Sequence, residues 1–161
     1  MIRISEIEAF FEKNVLKKNL KDISWDKANN VSLINSDKES FDFDELNKEI
    51  KTSDTVYFEN GKIIFVEFKR GKIKDIDFRL KATESIISLY NYVFENGFKE
   101  KLCFPNEIFQ IYVVYDRNNS SPTRTLAITT TGRKLEKEYK HFFSKYQVID
   151  NDKFKGRFKI K

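Results

Sequence analysis

Asn60-Gly61 stands between two apolar runs, "TVYFE" and "KIIFVEFK", and no other feature of the sequence restricts the fold so tightly. Asn-Gly is the favoured pair for a two-residue type I′ turn, in which both central residues take positive φ. That turn fixes a register in which Glu59 faces Lys62, Phe58 faces Ile63, Val56 faces Phe65 and Asp54 faces Glu67. Side chains alternate along a strand, so Lys69 shares the face of Glu67, while Ile64, Val66 and Phe68 point towards a second apolar layer. Carboxylates directly opposite each other on antiparallel strands destabilise a sheet. Burial beside Val56 and Phe65 raises the cost unless a cation sits between them. A divalent ion meets that need, because hard cations such as Mg²⁺ bind carboxylate oxygens and keep several waters. Lys69 is then placed to hold an attacking water or to stabilise charge on a transferring phosphoryl group. The plainer alternative is an edge strand on which Glu67 and Lys69 are ordinary exposed residues and Asp54 ends a turn.

The rest of the chain reads as layers around this hairpin. Residues 5–18 form a predicted helix, with Ser5 as N-cap and Ile7, Phe10, Phe11 and Val15 on one face. Residues 20–40 carry no clear period, although "NVSLIN" suits a strand, and "FDFDELNKEI" suits a short helix capped by Asp42 or Asp44. After the hairpin, "IKDIDFRLKATESIISLYNYVFENG" predicts a long amphipathic helix stopped by Gly97 at C′. "IFQIYVVYD" is a continuous apolar run, expected of a strand buried on both faces. The β-branched "TRTLAITTTG" predicts another strand, with Gly132 leading into a final helix, "KLEKEYKHFFSKY". This order predicts an α/β fold with a mixed central sheet flanked by helices.

Composition limits the chemistry. The 161 residues suit a single domain, expected to span 1–161, and 40% hydrophobic with 34% charged residues suits a globular chain. No apolar stretch approaches the roughly 20 residues that span a bilayer, and "MIRISEIEAFFEKN" sets two glutamates where a secretion signal needs an apolar run. With Cys103 alone, no internal disulfide and no cysteine-based zinc site is expected, which suits a reducing cytoplasmic setting. His141 has no Gly-x-Ser-x-Gly elbow to serve and no partner histidine for a ligand set, so it is expected to be an ordinary helix residue. The net charge of +5 permits a polyanionic partner without requiring one. Basic residues concentrate in "KRGK" and in "KFKGRFKIK", where Lys and Arg alternate with Phe; for the latter a solvated terminal strand with its apolar residues facing in is the plainer reading.

Asp54, followed after a hairpin turn by "EFK" at 67–69, resembles the pattern of the PD-(D/E)XK phosphodiesterases, the restriction-endonuclease-like nucleases. "SD" at 53–54 replaces the Pro-Asp of that pattern, and the resemblance covers roughly residues 1–130. It implies a core of αβββαβ order and a Mg²⁺- or Mn²⁺-dependent nuclease acting on nucleic acid, DNA in the first instance. Asp54 and Glu67 would bind the metal, the Phe68 carbonyl would add a ligand, and Lys69 would act on water. Such proteins often add a glutamate from the first helix. At roughly 100° per residue, Glu8 lies nearest the inward face, about 20° from Val15. They also often use a polar or basic residue on the helix after the Glu-x-Lys strand. Arg79, Lys81 and Ser85 are available there. Arg79 shares the face of Ile76, Leu80, Ile87 and Tyr90 and is the one expected to reach phosphate, whereas Lys81 and Ser85 lie on a flank expected to be solvated. Lys72, just past the strand, is a further expected backbone contact. So small a chain leaves specificity to a protein partner, a homodimer, or nucleic-acid structure. Two other readings share the fold: a catalytically idle nucleic-acid-binding module, and a protein-interaction factor, either of them conceivably encoded by a phage or mobile element.

Overall fold

The computed structural model describes residues 3–70, 74–99 and 108–161. Helix α1 (Ile4–Asn14) is followed by the short strand β1 (Lys17–Asn19), one turn of helix α2 (Leu20–Ile23), and a ribbon of β2 (Trp25–Asp26) and β3 (Val31–Ser32). Strand β4 (Glu39–Asp42) and a 3₁₀ turn (Asp44–Leu46) lead to β5 (Thr55–Glu59) and β6 (Lys62–Lys69). The remainder is α3 (Asp75–Glu95), β7 (Phe109–Tyr115), α4 (Pro122–Glu138), β8 (Phe143–Asp150) and α5 (Asn151–Arg157). Six strands form one mixed sheet in the order β1-β4-β5-β6-β7-β8, antiparallel from β1 to β6 and parallel from β6 to β8. The fold is therefore α/β, a mixed sheet flanked by helices.

The hairpin has the register its turn dictates. Asn60 and Gly61 have φ of 52° and 69°, and the strands pair Glu59 with Lys62, Phe58 with Ile63 and Val56 with Phe65. Alternation then divides the core in two. Ile63 and Phe65 join α1, α3 and α4 through Phe11, Phe78, Leu89 and Leu135, while Ile64 and Val66 meet Leu20, Ile34, Phe154 and Phe158 on the other face. Phe11 anchors α1 by edge-to-face contacts with Phe41, Phe58 and Tyr92, geometries aromatic rings favour. Helix α3 ends as predicted: Gly97 has φ of 100°, and Phe98 N–H donates to the Val93 carbonyl at 3.0 Å, a Schellman closure.

Five expectations need correction. The first helix has Arg3 rather than Ser5 as its N-cap and stops at Asn14, so that residues 17–18 belong to β1. The β-branched stretch at 123–132 is helix: Ser121 Oγ accepts the Arg124 N–H, Pro122 sits at N1, and Ile128, Gly132 and Leu135 face inward. Thr129 Oγ1 donates to the Thr125 carbonyl, so its hydroxyl is satisfied within the helix. Gly132 is no breaker but a contact point, since a Cβ there would lie 2.7 Å from Val148 Cγ2. Consequently the predicted last helix divides into the end of α4, a turn carrying exposed His141, and the edge strand β8. The basic tail is helix α5 with Phe154, Phe158 and Ile160 buried, rather than a terminal strand. At 41–50 a strand end and a 3₁₀ turn replace the expected helix. Among the described residues no helix is long and apolar enough to cross a membrane.

Candidate functional site

Asp54 enters β5 one residue before the ladder and is tied to the chain on both sides. Its N–H donates to the Val66 carbonyl at 3.0 Å, its carbonyl accepts the Phe43 N–H, and Oδ2 accepts the Phe68 N–H at 2.6 Å. Antiparallel continuation of the Thr55–Val66 pair sets it against Glu67, whose side chain points to the α3 side and is only 2% exposed. The cation beside the carboxylates comes from α3: Lys81 Nζ lies 2.6 Å from Glu67 Oε1. Glu67 Oε2 is buried with no hydrogen-bond donor among the described residues.

The electrostatics follow from that arrangement. Burial, together with the charge of Asp44, raises the Asp54 carboxyl to about 6, against the pull of Lys81 and the Phe68 N–H. Burial and the charge of Asp54 hold Glu67 well above the ordinary carboxylate range, with Lys81 and Lys69 opposing. Lys81 is itself pushed down by burial but raised more by Glu67 and Asp54, so it stays an ammonium. Two carboxyls so coupled titrate as a unit. A cation bound beside them would favour their ionised forms and release protons.

The helix reading missed Lys81 because it chose the wrong face of α3. Phe78, Ala82, Ser85, Leu89 and Val93 are buried, while Ile76, Leu80 and Ile87 are exposed. Ser85 explains why a polar flank turns inward: its Oγ accepts the Ser53 N–H at 2.8 Å and donates to the Lys81 carbonyl at 2.6 Å. Small residues bring the helix close to the start of β5, and Lys81, one turn earlier, reaches Glu67. Arg79 faces away, paired with Asp75 and Glu138. Glu8 is half-buried on α1, and no hydrogen bond or ion pair links it to Asp54, Glu67 or Lys81. Lys72 lies outside the described residues.

Lys69 is half-buried and, among the described residues, has no hydrogen bond or ion pair. With Asp54, Glu67, Phe68 and Lys81 it lines a cleft of about 480 Å³ that is also lined by residues of and beside the β2–β3 ribbon, including Trp25 and Lys27. No periodicity in residues 20–40 announces that ribbon. It is two residues wide per strand and held by side-chain bonds such as Ser32 Oγ to the Lys21 carbonyl at 2.6 Å.

The donor set suits a hard cation. It consists of two carboxylates with an unsatisfied buried oxygen, and it contains no nitrogen or sulfur ligand. Among the described residues no group of three or more His, Cys, Asp or Glu is gathered to hold an ion, so water and backbone oxygens would complete the coordination. The chain matches no protein-family model, no curated protein and no solved structure.

Proposed function

We propose that this protein is a metal-dependent phosphodiesterase acting on nucleic acid, DNA in the first instance, built on a restriction-endonuclease-like core. The observation that carries the reading is the buried Asp54–Glu67 pair, with its orphaned oxygen, in a cleft that also holds three lysines. The succession α1, antiparallel β4-β5-β6, α3 and parallel β7 supports the αβββαβ core.

Asp54, Glu67 and the Phe68 carbonyl would hold Mg²⁺ or Mn²⁺, which when bound supplies Lewis acidity and lowers the pKa of water. The Phe68 N–H fixes the direction of Asp54 and leaves its Oδ1 for the cleft. Lys69, free of competing partners among the described residues, orients the attacking water and stabilises charge growing on the phosphoryl oxygens. Lys81 keeps Glu67 anionic enough to ligate, although its ammonium must yield part of its contact when a cation arrives.

That same 2.6 Å contact favours a second reading, in which Lys81 permanently neutralises Glu67 and the fold binds nucleic acid or a protein without cutting. Titration calorimetry with Mg²⁺ or Mn²⁺ in two buffers of different ionisation enthalpy separates them. The nuclease reading expects saturable binding with proton release, absent in Glu67→Gln, together with cleavage of single-stranded, duplex or branched DNA or of RNA. Neither metal binding nor cleavage of any of these polymers would leave the second reading in its place.

A further inference from the structure

Trp25 is the chain's single tryptophan, and it is 44% exposed in the lining of the cleft that also holds the carboxylates. Its ring is left partly in water, and among the described residues it stacks on no other ring. Its support is rigid. Ser24, the preceding residue, is buried and accepts the Ile34 N–H on Oγ at 2.9 Å and the Leu33 N–H on its carbonyl at 3.1 Å. Asp26, the following residue, closes the turn by accepting the Ala28 N–H and Asn29 Nδ2. The indole is thus presented by a fixed ribbon. Lys27 and Lys69, both in the lining of the cleft, have no ion pair among the described residues, whereas Arg70 is committed to Asp116 and Lys81 to Glu67.

We propose that this cleft is a single-strand binding site, in which a nucleobase stacks on Trp25 while Lys27 and Lys69 take the adjoining phosphates. The identity of the polymer rests on the phosphodiester reading of the carboxylate pair. Three features select a single strand. An exposed aromatic face recognises any unstacked base, and the bases of a duplex offer no free face. A cavity of about 480 Å³ is in the roughly 300–1,000 Å³ range of sites that hold one small ligand, room for a nucleotide and not for a double helix. Finally, the unpaired lysines line the same cleft as the ring, placed where phosphates adjoining a stacked base would lie.

The single tryptophan makes the test direct. Titrating the full chain in EDTA with oligo-dT, oligo-rU and a blunt DNA duplex, with emission at Trp25 as the signal, reads contact with the ring without metal or turnover. Expected is saturable quenching by a single strand, the dT and rU arms telling DNA from RNA, and binding at least about ten-fold weaker for duplex. By anisotropy of a labelled oligonucleotide, Trp25→Ala should lose on the order of ten-fold in affinity, while Trp25→Phe keeps most of it and controls for folding. No quenching, or equal affinity of Trp25→Ala and parent, overturns the proposal. So does duplex binding as tight as single-strand binding. Quenching without cleavage of any polymer retires the nuclease reading and leaves the single-strand site standing. Cleavage with KM and affinity unmoved in Trp25→Ala does the reverse.

Discussion

Glu67 near the end of β6 and Asp116 just beyond β7 are both buried carboxylates near the same end of adjacent parallel strands, yet their surroundings differ in kind. Asp116 is saturated: Oδ2 accepts Arg70 Nε at 3.0 Å, Arg70 Nη2 at 2.7 Å and Asn119 Nδ2 at 3.0 Å, and Oδ1 accepts the Asn118 N–H at 3.0 Å. Glu67 has one ammonium, one orphaned oxygen and a second carboxylate beside it. A carboxylate with donors on both oxygens joins a loop to a strand. One held at a loss, in a cleft, keeps unspent capacity for a ligand.

The contrast breaks or sharpens most in turnover. Lys69→Ala should lower cleavage by at least about 10²–10³-fold while Mg²⁺ binding by calorimetry persists, the signature of a group acting on the transition state. A conservative change at the saturated site, Asp116→Asn, should leave the rate per folded molecule near the parent value. Equal losses at both would mean that the two carboxylate sites are not divided into working and structural.

Stability comes next, with the opposite ranking. Asp116→Ala strands a largely buried guanidinium, and breaking such a pair costs about 3 kcal/mol or more in urea unfolding. Glu67→Gln in EDTA should cost far less or even stabilise, because a neutral amide relieves repulsion with Asp54 and still offers Lys81 an oxygen. If Glu67→Gln in EDTA proves as damaging as Asp116→Ala, Glu67 is structural too.

The pH dependence is smaller and has a definite sign. Asp54 is raised from 3.8 to about 6, so the native state holds its proton more tightly than the unfolded chain. The resulting stabilisation is complete below pH 4 and disappears as pH rises through about 6. Asp54→Asn has no such loss. Its stability relative to the metal-free parent should therefore rise from pH 4 to 7, by on the order of 1–3 kcal/mol. A flat difference across that range would show that Asp54 is not perturbed in solution. Smallest of all, Arg79→Ala should barely move the melting temperature or nucleic-acid affinity, since its partners Asp75 and Glu138 lie on a partly exposed helix surface away from the cleft.

Much of the candidate site was legible because it is local. The turn chemistry of Asn60-Gly61 and the two-residue period of the strands bring Asp54 and Glu67 together without knowledge of any other element. Lys81 was harder to find, since it lies on the polar flank of α3. The larger apolar residues Ile76, Leu80 and Ile87 advertise the opposite face, yet they are exposed. Ala82 and Ser85 are turned inward by close approach to β5, a distance that no helical period encodes.

By itself the sequence determined the hairpin, its register, the Schellman stop at Gly97 and the two-sided burial of β6, all of which follow from backbone sterics and side-chain alternation within a few residues. Tertiary structure alone decided the rest. The Thr-rich segment at 123–132 becomes helix because Ile128, Gly132 and Leu135 meet a neighbouring strand, which outweighs the weak β preference of its threonines. Trp25 shares a cleft with the carboxylates only through the placement of a short ribbon, and Lys81 reaches Glu67 only because a buried carboxylate draws in a cation from wherever the chain can supply one. Burial and charge compensation act across the whole molecule, and they are settled when its layers close.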